Sequence, residues 1–447
     1  MKSDIKIVNV QCSFNEEALR IPLKFGDGIV RTITSCTAEI EVENGSGARS
    51  RGFGNILLSD LWAFPDPSLT HEIKDKIMRE ISAGFGKIIE NYPYRGHPLD
   101  IYMDLEKTLF KLAEEIGKKE GIQSIIPALV PIVCASPFDT ALHDAFGKVN
   151  AICSYEGYSK DFMACDLSKY LGDRFKGRYI SDFLLPHYSQ TMPVFHLVGG
   201  TDPLTVYEKN HLSPQDGVPV SLDEWIKRDG VYCFKIKLSG RDIQADVDRT
   251  MSVAKVVSEQ LKQLGISDYY FSTDSNEMNE SPDTVIEYLN KLKETSPEAY
   301  HSVLYLEQPI ERDLSLNRFD MSRVAELKPV FADEGIVDIE TFELARALGW
   351  SGVAMKICKG ISHALLYLAM AKTYGIRYSV QDLTNPGIAF IQSAGFAARI
   401  LPVMGVEYNS RQYIPFANTE WSHHYQDLYQ VRHGKVSFNN FQQKGLF

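Results

Sequence analysis

Five short stretches decide the fold: CFKIKL at 233–238, YYFST at 269–273, VLYLE at 303–307, VFAD at 330–333 and VAMKI at 353–357. Each is an apolar run with an ionisable residue at or beside its C-terminal end. Strands of this kind are buried on both faces, as in a parallel sheet covered by helices. Similar runs stand at Val194–Val198 before them, and at Arg377–Gln381 and Val406–Tyr408 after them. Helical patterns at 242–264, 281–295, 338–348, 360–374 and 388–400 separate the runs. Eight strands alternating with helices over roughly 215 residues predict a (β/α) barrel rather than an open doubly wound sheet. No GxGxxG motif follows a strand to favour the alternative.

Upstream the rhythm differs. Ile5–Val10 and Arg31–Val42 alternate as strands, with turns at Phe25–Gly28 and at Asn44–Gly45. Helical periodicity follows over His71–Tyr92 and Asp104–Lys119. A third helix is expected over Pro137–Val149, with Ser136 as its cap and Pro137 in its first turn. Residues 1–150 therefore read as an α+β capping domain, 151–190 as a connecting segment and 191–408 as the barrel. Residues 409–447 read as a C-terminal segment that packs back and completes the cap.

The chain of 447 residues is 44% hydrophobic and 23% charged, a globular composition with ample core material. Its 47 basic and 58 acidic residues leave a net charge of −11, and no basic run exceeds a Lys-Lys pair. Nucleic acid and acidic membrane surfaces are thus not expected partners. The first residues lack an apolar signal core, and no window reaches 18 apolar residues. Seven cysteines without a CxxC pair point to reduced thiols and a cytoplasmic protein. Serine-hydrolase elbows, HExxH and the phosphate-binding P-loop are all missing from the sequence.

Catalytic groups of a parallel barrel sit at the C-terminal ends of its strands. Read only there, the second to sixth strands give Lys235 and Lys237, Asp274, Glu307, Asp333 and Lys356. One charge where a strand leaves the core is normally a solvated boundary. Five successive ends signed cation, anion, anion, anion, cation are harder to reach by chance. Asp274, Glu307 and Asp333 offer hard oxygen ligands without His or Cys, which suits Mg²⁺ or Mn²⁺. Lys235 and Lys237 share one strand face, and two adjacent ammonium groups are expected to lower each other's pKa toward a usable base. Lys356 comes from the far side of the ring. A cation flanked by two lysines suits removal of a proton beside a carboxylate, with the enediolate charge held by the metal.

This ordered set resembles the enolase superfamily, within it the mandelate racemase/muconate-lactonizing group. The matching elements are Lys235-x-Lys237, Asp274-x-Asn276, Leu306-Glu307-Gln308-Pro309, Ala332-Asp333-Glu334 and Lys356. The second lysine of the pair and the sixth-strand lysine are closest to the muconate-lactonizing subgroup. The seventh strand ends on Gln381-Asp382, with no His for the dyad of the mandelate racemase subgroup. The Ala141–Lys148 segment is similar to the helix that precedes the family's barrel. The resemblance implies a modified (β/α)7β barrel under an α+β cap, a homo-oligomer, and a small anionic carboxylate as substrate. It further implies two cap loops over the substrate, near Leu23–Ile29 and Arg51–Trp62, with Phe25, Leu57 and Trp62 as contacts. Asn276, Glu407 and His196 are the barrel's candidates for substrate contact. Glu334 is expected to point to the opposite face and pair within the wall. Racemisation or epimerisation is the expected reaction. Acid-sugar dehydration, cycloisomerisation and a non-catalytic ligand-binding role are the alternatives.

Overall fold

The computed structural model describes residues 1–25, 28–211, 213–439, 441 and 444–447, with the side chains at 24, 25 and 28 outside that description. The chain opens with three antiparallel strands, β1 (Ile5–Phe25), β2 (Gly28–Asn44) and β3 (Arg49–Leu57), in the order β1-β2-β3. The β1–β2 register breaks between Ala18 and Leu23, so the far end of this hairpin stands apart from the flat part of the sheet. A short helix α1 (Asp60–Ala63) follows, and then α2 (His71–Glu90), α3 (Pro98–Lys119) and α4 (Leu129–Val149).

Helix α4 differs from the sequence expectation. It begins eight residues before Pro137, which lies inside it. Proline removes the hydrogen bond to the carbonyl four residues back and normally breaks a helix. Here the Ser136 hydroxyl donates to that carbonyl, Val133 O, at 2.9 Å. The residue read as a cap is thus the repair that lets the helix run through. The same helix lies hard against β3. A Cβ on Gly52 would fall 2.1 Å from Ala141 O, and one on Gly54 1.9 Å from Pro137 O.

The second sheet is a closed parallel barrel. Its strands are β4 (Thr191–Val198), β5 (Cys233–Lys237), β6 (Tyr270–Asp274), β7 (Val303–Glu307), β8 (Val330–Ala332), β9 (Gly352–Lys356), β10 (Arg377–Gln381) and β11 (Val406–Glu407). They pair in chain order, and β11 closes on β4. Helices fill each of the seven connections, which is the (β/α)7β arrangement. The lower barrel is plugged by Phe195, Cys233, Tyr305, Phe331 and Met404, with Tyr305 and Phe331 stacked at 4.1 Å. Gly352, beside Phe331 in the β8–β9 register, leaves room for that ring.

Residues 151–190 form short 3-10 turns and one four-residue helix. They wrap the outside of the barrel, where Lys372 donates to Phe183 O and Arg399 lies over Tyr155 and Tyr188. The last segment divides its contacts. A strand β12 (Lys435–Ser437) adds antiparallel to β4, while the Leu446 N–H reaches Asp144 of α4 at 3.0 Å. Among the described residues no helix is long and apolar enough to cross a membrane.

Candidate active site

Strand alternation and register place the charges. Lys235 and Lys237, two apart on β5, share the lumen face. Lys237 pairs in register with Asp274, Asp274 with Glu307, and Lys356 with Gln381. Asp333 lies just past the end of β8. All of these side chains are nearly or wholly buried.

Lys235 Nζ reaches Glu307 Oε1 at 2.7 Å, Asp274 Oδ2 at 3.0 Å and Glu407 Oε1 at 3.6 Å. Lys237 Nζ reaches Asp274 Oδ2 at 2.5 Å and Asn276 Oδ1 at 2.6 Å. Lys356 pairs with Asp333 and lies 3.9 Å from Glu307 Oε1, with its ammonium 4.7 Å from the Trp62 ring centre. Among the described residues no three of His, Cys, Asp and Glu are gathered closely enough to cage a metal ion. Ammonium groups stand between the carboxylates instead.

The electrostatics correct one expectation. Lys235 is not depressed, because carboxylates dominate its surroundings. Burial alone would lower Lys235, but Glu307, Glu407, Asp274 and Asp333 outweigh it and hold the group well above its ordinary value. Lys356 is likewise raised, against burial, chiefly by Asp333. Against the cost of burial, Lys237 and Lys235 hold Asp274 at about 2. Burial pushes Glu307 up to about 8 despite Lys235, with Asp274 adding its repulsion. Three carboxylates at neighbouring strand ends, oxygen donors only, fit a hard divalent cation.

Several contributors escaped the sequence reading. Gln381 accepts from Lys235 at 3.2 Å and donates to Glu307 Oε2, bridging the two. Its place at the end of the seventh strand was the available signal. Gln308 takes the N–H groups of Asp333 at 2.7 Å and Gly335 at 3.1 Å, which fixes the loop bearing Asp333. Lys359 sits 3.0 Å from Asp333 Oδ1. Glu334 is not a wall residue: it accepts from Trp62 Nε1 at 2.9 Å and from Asn276 Nδ2 at 3.3 Å. Strand β8 ends at Ala332, so alternation no longer governs where Glu334 points.

A cavity of about 40 Å³ opens above this cluster. Lys235, Lys237, Asp274, Asn276, Lys356 and Glu407 line it from the barrel, and Trp62 lines it from the cap. Glu407 is also fixed by the Asp382 N–H at 3.1 Å. His196 does not join them. Leu197 takes the lumen position beside Lys235, so His196 turns outward with Phe234. There it packs on Trp225 and is held by Arg411 at 2.9 Å and Gln412 at 3.2 Å. Counting the alternation back from Lys235 would have shown this. Leu57 is buried among Leu23, Val30 and Leu197 rather than lining the cavity. The side chain of Phe25 lies outside the described residues.

The family model for enolase C-terminal domain-like proteins matches residues 219–446, just over half of the chain. A comparison with curated proteins gave no match. Among solved structures, a dipeptide epimerase from Enterococcus faecalis complexed with Mg and L-Leu-L-Tyr shares 17% identity at a TM-score of 0.63, covering 99% of each chain. The N-succinyl Arg/Lys racemase of Bacillus cereus shares 17% at 0.60, over 99% of this chain and 94% of that one. A muconate lactonizing enzyme from Pseudomonas fluorescens complexed with muconolactone shares 16% at 0.59, over 98% and 95%. At such identity these likenesses speak for the fold. With the family match over the barrel, the chain belongs to the enolase superfamily, in its mandelate racemase/muconate-lactonizing group.

Proposed function

We propose that the protein is a Mg²⁺-dependent racemase or epimerase that exchanges the α-proton of a small carboxylate. The observation that carries this reading is the placement of Lys237 and Lys356 on one cavity. They come from β5 and β9, four strands apart in a ring of eight, and so from opposite walls. Two proton carriers facing each other across a substrate can remove a proton from one face and return one to the other. A lyase reaction requires only one such group in addition to an acid for the leaving group.

Asp274, Glu307 and Asp333 would hold the cation. Bound to them, a divalent cation would add positive charge beside the lysines and oppose the negative charge that develops on the substrate oxygens. The lysines do the proton work. Lys237 is held against Asp274 and Asn276, and Lys356 against Asp333 under the Trp62 ring, so each Nζ is fixed before substrate arrives. Asn276 ties Lys237 to Glu334, and Glu334 to Trp62. Cap and barrel thus meet in one hydrogen-bond chain around the cavity.

The test is incubation of candidate acids with enzyme and Mg²⁺ in ²H₂O, followed by NMR and chiral analysis. Deuterium at the α-carbon in both configurations supports the reading. Loss of water to a keto acid replaces it with dehydration, and a new ring with cycloisomerisation. Binding without exchange for any acid leaves a ligand-binding relative.

A further inference from the structure

The cavity has two unlike halves. Its floor is the ion-paired cluster just described. Its roof and one wall are Leu19, Leu23, Val30 and Ile33 of the β1–β2 hairpin, joined by Leu197 of β4. With Leu57, Tyr413 and Ile414 these belong to an apolar cluster of their own, separate from the barrel core and the cap core. Every cap residue described in the lining is uncharged; the remaining two are Ser59 and Trp62. One cation at the hairpin's edge is turned away. Arg20, next to Leu19, sends its guanidinium to Asp216 and to the carbonyls of Val218 and Pro219, and its side chain is 2% exposed.

From this division we infer that the acid taken by the site carries an uncharged, apolar substituent beside its carboxylate, seated against Leu19, Leu23, Val30, Ile33 and Leu197. The inference rests on the α-proton exchange proposed above and names the substrate class for it. The carboxylate belongs at the lysine-rich floor. Among the described residues, a substituent that extends from the α-carbon toward the hairpin meets the hydrocarbon of Leu19, Leu23, Val30 and Ile33. A charged substituent would lose its water against that surface.

The experiment uses N-acetyl amino acids whose side chains are near-isosteric, leucine, asparagine and aspartate, with ornithine as the cationic member. Exchange in ²H₂O and calorimetric binding in Mg²⁺ are both read. The leucine compound is expected to exchange and bind at least about tenfold better than the aspartate and ornithine compounds, with asparagine between. Leu19→Lys, at a half-buried position that tolerates a long side chain, is expected to narrow the gap between leucine and aspartate severalfold. Val30→Thr, which keeps volume and replaces a methyl by a hydroxyl, is expected to lower leucine exchange more than that of the other compounds. If the charged compounds exchange as well as leucine in the unaltered enzyme, the apolar assignment is overturned while α-proton exchange stands. If no compound exchanges and none binds, the proposed reaction itself falls and the assignment with it.

Discussion

The two mouths of the barrel are built from the same eight strands and differ in nearly everything else. At the C-terminal mouth, four lysines are buried among Asp274, Glu307, Asp333, Glu334 and Glu407, under a cavity of about 40 Å³. At the N-terminal mouth lies a far larger cleft, about 1200 Å³, where Lys227, Arg228, Arg432 and Lys435 stand in solvent. Between them sits the aromatic plug of Tyr305 and Phe331. Charge in water is weak, screened and adaptable, whereas charge removed from water must be compensated by fixed partners. Among the described residues the smaller space concentrates the fixed, desolvated groups that acid–base chemistry needs, whereas the larger cleft offers one, Asp229, already paired with Arg411. Size is therefore a poor guide to where the chemistry lies.

The hardest test of that contrast is to remove a proton carrier. Lys237→Ala and Lys356→Ala are each expected to cut α-proton exchange by about 10³-fold, within the range for a lost acid or base. Circular dichroism should stay unchanged, because each lysine leaves behind a carboxylate that can bind cation or proton. Exchange persisting at more than a tenth of the original rate in both variants would sink the two-lysine reading.

Second in size is the plug. Phe331→Ala removes the ring stacked on Tyr305 in a space left by Gly352. Thermal unfolding should report a loss of about 3–5 kcal/mol. The folded fraction should retain metal and substrate binding, since neither ring of the plug lines the cavity. A stable Phe331→Ala protein with lost binding would mean that the plug and the site act as one unit.

Arg20→Ala should act more gently. Arg20 ties the cap hairpin to the segment between β4 and β5 through Asp216, whose carboxyl that guanidinium holds down at about 2. Losing the tie loosens Leu19 and Leu23 over the cavity. The expected result is a KM rise of about three- to tenfold with kcat within about twofold, the signature of lost uniform binding. A fall in kcat with KM unchanged would assign Arg20 to the chemistry rather than to the roof.

How much of this was written in the sequence follows from the same physics. The barrel and the charged ring were legible because each strand is an apolar run with one abrupt charge, and parallel strands end in register. The tertiary partners were not. Gln381 carries no charge to draw attention, and Glu334 lies beyond a three-residue strand, where alternation stops. His196 was misplaced for want of counting faces from Lys235. The early start of α4 was hidden because Pro137 reads as a beginning unless the Ser136 hydroxyl is known to satisfy the carbonyl it strands. Residues 151–190 have no periodicity to read, since they are held by scattered contacts to helices already in place.

The smallest expected effect tests the larger cleft. Lys227→Glu and Asp268→Asn alter side chains that line it and stand in or near solvent. Strands of five residues put this mouth about 15 Å from the lysines at the other end, and the Debye length at physiological salt is about 8 Å. Both variants should leave exchange rates within about twofold and stability within about 0.5 kcal/mol, as is usual for exposed positions. Those figures should hold as salt is varied, because a direct electrostatic reach from one mouth to the other would strengthen at low ionic strength. A Lys227→Glu enzyme whose turnover falls tenfold at low salt and recovers at high salt would show that the two mouths share a field. The separation drawn between a chemical end and an inert end would then have to be abandoned.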